Sequence, residues 1–246
     1  MMTKTMKTIK WRGDSNMECY SFSKAGRFHL KNGEKNQDQI FGIRSSDRIA
    51  VCLSDGCSTS PRGLAAAQKV VTLTAKMFFN DFYDLLLDDS DTVRRKVSAV
   101  LQPTLRAFAA QQGVRPETLA ATLLVFAADR SGRYLCAHLG DGCVLMQPPD
   151  AEASAFSIIS SPSHGIVPHS TYLTMNADMM RHLKVYRSLR PSHGKFLLLT
   201  DGADNLLRNS SQESHLPCPF SGPALERYLD SQHPLDDYSA AVIMIP

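Results

Sequence analysis

Ile49-Ala50-Val51-Cys52-Leu53-Ser54-Asp55-Gly56 is an apolar run that ends in an aspartate and a glycine. The same plan recurs in Tyr134-Leu135-Cys136-Ala137-His138-Leu139-Gly140-Asp141-Gly142 and in Phe196-Leu197-Leu198-Leu199-Thr200-Asp201-Gly202. A fourth stretch runs the other way, with Asp236-Asp237-Tyr238-Ser239 preceding the apolar Ala240 to Ile245. Short apolar runs bounded by turn residues read as buried strands. A buried strand that delivers a carboxylate at its end builds a rigid, oxygen-rich site for hard divalent cations, and several in one chain point to a metal-assisted hydrolase.

Working outward, Gly63 to Leu87 is a strong helical stretch, with Leu64, Ala67, Val70, Val71, Thr74, Met77, Phe78 and Leu85 at three- and four-residue spacing. A second helix, capped by Asp91, runs to about Gln112, with Pro103 as a candidate kink and Gly113 as its stop. Ala120–Ala128, Arg133–Leu139 and Cys143–Gln147 read as strands, the first two joined by the turn Asp129-Arg130-Ser131-Gly132. Further strands are expected at Ala155–Ile159, Lys195–Leu199 and Tyr238–Ile245, and a helix at Pro219–Ser231. Cys19 to Phe41 reads as a hairpin followed by a loop. Residues 1–14 read as a flexible lead-in, and 15–246 as one domain with a variable excursion at about 160–194. Helices inserted among antiparallel-type strands give an α+β layered class, with sheet packed on sheet and helices outside.

Composition sets limits. The chain has 246 residues, 43% apolar and 21% charged, enough for one sizeable core. A net charge of +3 gives no bulk argument for nucleic acid, and the basic cluster Lys4, Lys7, Lys10 and Arg12 reads as a solvated tail. The longest apolar run, Leu119 to Ala128, is about half of a membrane span. No apolar block follows the N-terminal lysines, so no signal peptide is expected. The six cysteines lack CxxC spacing, which argues against a zinc site or disulfide framework and for a reduced, cytoplasmic protein.

The ordered set Asn36-Gln37-Asp38, Ser54-Asp55-Gly56, Ala121-Thr122-Leu123-Leu124-Val125, Leu139-Gly140-Asp141-Gly142, Thr200-Asp201-Gly202 and Asp236-Asp237-Tyr238-Ser239 resembles the metal-dependent protein phosphatases of the type 2C family. The likeness is to the compact bacterial branch and covers about residues 29 to 245. It implies a central antiparallel β-sandwich flanked by helices, a four-layer αββα arrangement, with two Mg²⁺ or Mn²⁺ ions at one edge. By the same resemblance Asp55 bridges the two ions, the Gly56 carbonyl binds one, and Asp201 and Asp236 hold the second. Asp38 orients metal-bound water, and Asp141 matches a ligand of a third, weaker ion. The implied activity is hydrolysis of phosphoserine and phosphothreonine by water activated at the two-metal centre. The implied partner is a phosphoprotein, either a Ser/Thr kinase or its target, met by a monomer.

The chain departs from the family pattern around that centre. Gln37 stands where many members carry Glu, and Cys57 where many have a His that is a candidate general acid. Gly33 occupies the place of the phosphate-binding Arg, which leaves Lys35 and Arg62 as candidates for that charge, with Lys31 beside them. Asp237 competes with Asp236 as ligand in a register shifted by one. Asn205 stands where the family often has Asp, with Asp204 one residue earlier. Thr122 reads as structural, and His29 as a loop residue near the site. These departures keep open a catalytically weak member that acts as a metal- or phosphoprotein-binding regulator. A third reading, an aspartyl-nucleophile phosphohydrolase of the haloacid-dehalogenase type, wants a second Asp where Cys57 stands and a regular strand–helix alternation.

Overall fold

In a computed structural model, the structure describes residues 7–11, 17–165, 170–208 and 215–246, with only the backbone of 7–11 and 208. The strands are β1 (Lys7–Trp11), β2 (Glu18–Lys24), β3 (Gln39–Arg44), β4 (Arg48–Ser54), β5 (Leu123–Asp129), β6 (Tyr134–Leu139), β7 (Cys143–Gln147), β8 (Ser157–Ser160), β9 (Lys184–Ser188), β10 (Gly194–Leu199) and β11 (Tyr238–Ile245). The helices are α1 (Arg27–Asn32), α2 (Gly63–Asn80), α3 (Phe82–Leu87), α4 (Ser90–Gln112), α5 (Met179–His182), α6 (Asp201–Arg208) and α7 (Gly222–Ser231). One sheet is ordered β1-β2-β11-β10-β7-β8 and the other β3-β4-β5-β6-β9. The strand pairs are antiparallel throughout.

The apolar runs are nearly continuous because the central strands are buried on both faces. In β10, Phe196 and Leu198 join the cluster between the sheets, while Leu197 and Leu199 join the cluster under α6 and α7. In β5, Leu124, Phe126 and Ala128 face the other sheet, while Leu123, Val125 and Ala127 pack with α2, α3 and α4. Phe126 lies at the centre, with ring centroids 5.5 Å from Tyr134 and 4.6 Å from Phe196. The result is the expected layering, two antiparallel sheets face to face with helices on each outer side.

Several local expectations change. Lys7–Trp11, inside the stretch read as a lead-in, pairs with β2, and the rest of that stretch lies outside the described residues. The expected loop after β2 contains α1, which ends on Gly33 in the left-handed conformation at φ 70°. The single long helix from Gly63 is broken at Asp81 into α2 and α3. The cap of α4 is Asp89, not Asp91: its carboxylate accepts the Thr92 N–H at 2.8 Å. The helix runs through Pro103 to Gly113, whose φ of 63° ends it as expected. The excursion at 160–194 carries α5 and an edge strand, β9, paired with β6. Its residues 166–169 lie outside the described set.

Candidate functional site

The aspartate at the end of β4 is fixed by a short extension of the sheet. Asp55 N–H donates to Thr122 Oγ1 at 2.9 Å, Thr122 N–H donates to the Asp55 carbonyl at 2.9 Å, and Ser54 Oγ donates to the Thr122 carbonyl at 2.6 Å. Gly56 bridges Ala121 and donates its N–H to the Gln37 carbonyl at 3.3 Å. Thr122 is therefore a structural clamp. A Cβ at Gly56 would meet the Gly63 backbone at 2.4 Å, so only glycine lets α2 start this close.

Asp201 lies two residues beyond β10 and opens α6. Beside it, Thr200 Oγ1 donates to Asp38 Oδ2 at 2.8 Å and accepts the Ser239 N–H at 2.9 Å. One hydroxyl thus ties the loop before β3 to β10 and β11. Asp38 is buried, and its Oδ1 has no hydrogen-bond partner among the described residues. Its N–H donates to Asn36 Oδ1 at 2.9 Å, which closes a local turn.

Asp236 and Asp237 part company. Asp237 is buried, accepting the Gly26 N–H on Oδ1 at 2.8 Å and the Gln37 N–H on Oδ2 at 2.6 Å. His29 Nδ1 lies 2.8 Å from the same Oδ1, without the alignment of a hydrogen bond. Asp236 is exposed and uses Oδ1 to accept the Asp237 N–H at 2.8 Å. Glycines flank the pair: a Cβ on Gly26 would stand 2.2 Å from the Asp236 carbonyl, and one on Gly202 would stand 2.0 Å from that of Asp237.

The carboxylates raise one another's proton affinity. Burial pushes Asp55 well above the usual carboxylate range, and the charges of Asp38, Asp201, Asp236 and Asp141 add to it. Asp38 is likewise raised by burial and then by Asp201 and Asp237, against the Thr200 hydroxyl. Burial, with Asp141 and Asp236, takes Asp201 to about 7. Asp141 is raised by burial too, while His164 and the Thr171 hydroxyl, both from the excursion, work the other way. Asp38, Asp55, Asp141, Asp201 and Asp236 therefore lie within electrostatic reach of one another. Among the described residues, no three His, Cys, Asp or Glu side chains close into a ready-made metal cage.

The flanking residues are less engaged. Among the described residues, Lys35 and Arg62 are exposed and their side chains make no hydrogen bond or ion pair. The Cys57 Sγ lies 3.1 Å from Thr59 Oγ1, and the Gln37 Nε2 lies 3.3 Å from His29 Nε2. Asn205 is exposed and Asp204 is buried in α6. Sequence reasoning missed Thr200, His164 and Thr171. For Thr200 the only available signal was a hydroxyl residue directly before the strand-end aspartate.

The Protein phosphatase 2C family profile matches residues 25–241. The chain belongs to the protein phosphatase 2C family. Comparison with curated proteins returned no match. Among solved structures, a bacterial serine phosphatase aligns with a TM-score of 0.68 at 15% identity, covering 94% of this chain and 98% of that one. The serine/threonine phosphatase Stp1 from Staphylococcus aureus aligns with a TM-score of 0.65 at 15% identity, covering 97% and 100%. RsbX in complex with magnesium aligns with a TM-score of 0.62 at 10% identity, covering 98% and 100%. At these identities the three likenesses speak for a shared protein phosphatase 2C fold. Among the described residues no helix is long and apolar enough to cross a membrane.

Proposed function

We propose that this protein is a phosphoprotein phosphatase that hydrolyses phosphoserine and phosphothreonine with Mg²⁺ or Mn²⁺. The observation that carries this reading is the mutual approach of Asp38, Asp55, Asp141, Asp201 and Asp236 at one edge of a protein phosphatase 2C fold. The donor set fits a hard divalent cation. It is all oxygen, its carboxylates repel one another at partly buried positions, and Asp38 Oδ1 is buried without a partner.

Asp55, Asp201, Asp236 and the Gly56 carbonyl would hold two ions, with Asp141 beside them for a third. When bound, such cations neutralise phosphoryl oxygens and supply hydroxide near neutral pH, so that no side-chain nucleophile is needed. The chain's own work is positioning. Thr200 fixes one oxygen of Asp38, which leaves the other to accept a proton from an attacking water. Lys35 and Arg62 are exposed cations available to substrate phosphate. The reading includes a cytoplasmic monomer whose substrate is a Ser/Thr kinase or its target.

The test is Mn²⁺-dependent turnover of phosphopeptides and p-nitrophenyl phosphate. Asp55→Asn and Asp201→Asn should each lower turnover by about a hundredfold or more. Robust turnover in excess chelator would overturn the reading. A second reading, a weak member that binds metal or phosphoprotein, is supported by Cys57 beside Thr59, by Gln37 in place of Glu and by Gly33 in place of the phosphate-binding Arg. It predicts metal binding by calorimetry with negligible turnover across a phosphopeptide panel.

A further inference from the structure

The short helix α1 shows most of its side chains to solvent: His29 is its only buried residue. Phe28 is 62% exposed and Leu30 52%, and Leu235, against which α1 starts, is 68% exposed. Phe28 and Leu235 are joined through the backbone beside Asp236, while Leu30, two residues further along the helix, lies on the opposite flank of His29. Their backbone is fixed. Arg27 N–H donates to the Pro234 carbonyl at 2.9 Å and Phe28 N–H to the Leu235 carbonyl at 3.0 Å. Leu235 directly precedes Asp236, and Asp237 holds the amides at both ends of the α1 segment, Gly26 and Gln37. An apolar patch that is both exposed and rigidly tied to a reactive edge is a contact surface rather than a stray side chain.

The patch also carries an excess of cations. Arg27, Lys31 and Lys35 are exposed around it, against the exposed carboxylates Glu34 and Asp236, and Asp236 is one of the proposed cation ligands. A peptide carrying acidic residues near its phosphorylated position finds complementary charge at α1.

We propose that the exposed face of α1 with Leu235 docks the substrate segment flanking the phosphorylated residue, and that it selects phosphopeptides with an apolar side chain and a carboxylate close to that residue. The proposal rests on the phosphatase reading and names the substrate class for the same site.

The test uses the full chain with Mn²⁺ and hydrolysis-resistant phosphonoserine nonapeptides followed by fluorescence anisotropy. One peptide carries Leu two residues before and two after the phosphonoserine with an adjacent Glu, and the other carries Gly at those three positions. Wild type should bind the first at least about fivefold more tightly, a typical yield for a few anchoring contacts. The double variant Phe28→Ser, Leu235→Ser should lose that difference while its thermal midpoint and its turnover of p-nitrophenyl phosphate stay as in wild type. Equal affinities in wild type, or a difference that survives in the double variant, would overturn the docking surface. Absence of Mn²⁺-dependent p-nitrophenyl phosphate turnover in wild type would sink the phosphatase reading instead, while the anisotropy comparison still decides the patch.

Discussion

The Gly26 amide donates to the Asp237 carboxylate at 2.8 Å across 211 residues of sequence. On the same residue, a Cβ would run into the Asp236 carbonyl at 2.2 Å. That contact places the loop leading to Asp38 on the backbone that carries Asp236. Gly26→Ala should therefore push Asp236 away. The expected result is a stability loss of about 1–3 kcal/mol, the usual cost of overpacking, together with weaker Mn²⁺ binding by calorimetry. Unchanged Mn²⁺ affinity in a folded Gly26→Ala protein would show that the close packing is incidental to the centre.

The neighbouring aspartates should separate cleanly by readout. Asp237 is buried and already engaged by two amides, whereas Asp236 is exposed and keeps its second oxygen for other work. Asp237→Asn should lower the thermal midpoint, because one amide N–H then faces an NH₂ group, at a cost of about 1–3 kcal/mol. Asp236→Asn should leave the midpoint of the metal-free protein unchanged or raised, since it removes one charge from a crowded set, and should reduce Mn²⁺ affinity. The reverse pattern would transfer the ligand role to Asp237.

Thr200 offers a test of positioning. Its hydroxyl is the shared partner of Asp38 and of the Ser239 amide. Thr200→Val keeps the shape and removes both bonds, so turnover of p-nitrophenyl phosphate should fall by about ten- to a hundredfold, as for other residues that orient metal-site groups. Thr200→Ser should recover most of it. Equal losses in Val and Ser variants would mean that the methyl packing, not the hydroxyl, matters.

His138 gives a pH signature away from the carboxylates. It is buried, its Nδ1 lies 2.7 Å from Ser160 Oγ, and its Nε2 has no partner among the described residues. Burial, with Lys184 nearby, lowers it from 6.5 to about 3. The folded value lies below the unfolded one, so the neutral ring's contribution is intact above 6.5 and is lost as pH falls from there towards 3. The raised carboxylates act in the opposite direction over the same acid range. Urea midpoints for wild type and His138→Gln from pH 7 to pH 4 isolate the histidine. The variant should lose less stability on acidification, with a difference approaching about 1.4 kcal/mol per pH unit. Parallel pH curves would refute a buried neutral His138.

What could be read from the sequence was whatever local pattern controls. The apolar runs ending at Asp55, Asp141 and Asp201 became strand ends because buried strands leave a run of apolar residues and turns leave glycine. The helices over 63–87 and 91–112 were visible by their period, though the break at Asp81 and the cap at Asp89 were not. What escaped was short or long-range. Six residues of α1 are too few to show a helical period, and the edge strand β9 carries Lys, Arg and Ser among its five residues. Asp201-Gly202 looked like a turn, yet it opens α6. The choice between Asp236 and Asp237 depends on amides about 200 residues away, and the bond from Thr200 to Asp38 spans 162 residues. No window along the chain carries such information.

The sheet order β2-β11-β10 puts β11 between a neighbour from the start of the domain and one only about 40 residues before it. During translation, β2 and β10 have no partner in each other, and Asp38 has no Ser239 amide to hold its Thr200 in place until β11 leaves the ribosome. Closing so long a loop is also the slow part of folding. The order of the strands thus makes the carboxylate cluster depend on the docking of β11, which brings Asp236 and the Ser239 amide to a site whose other members lie earlier in the chain.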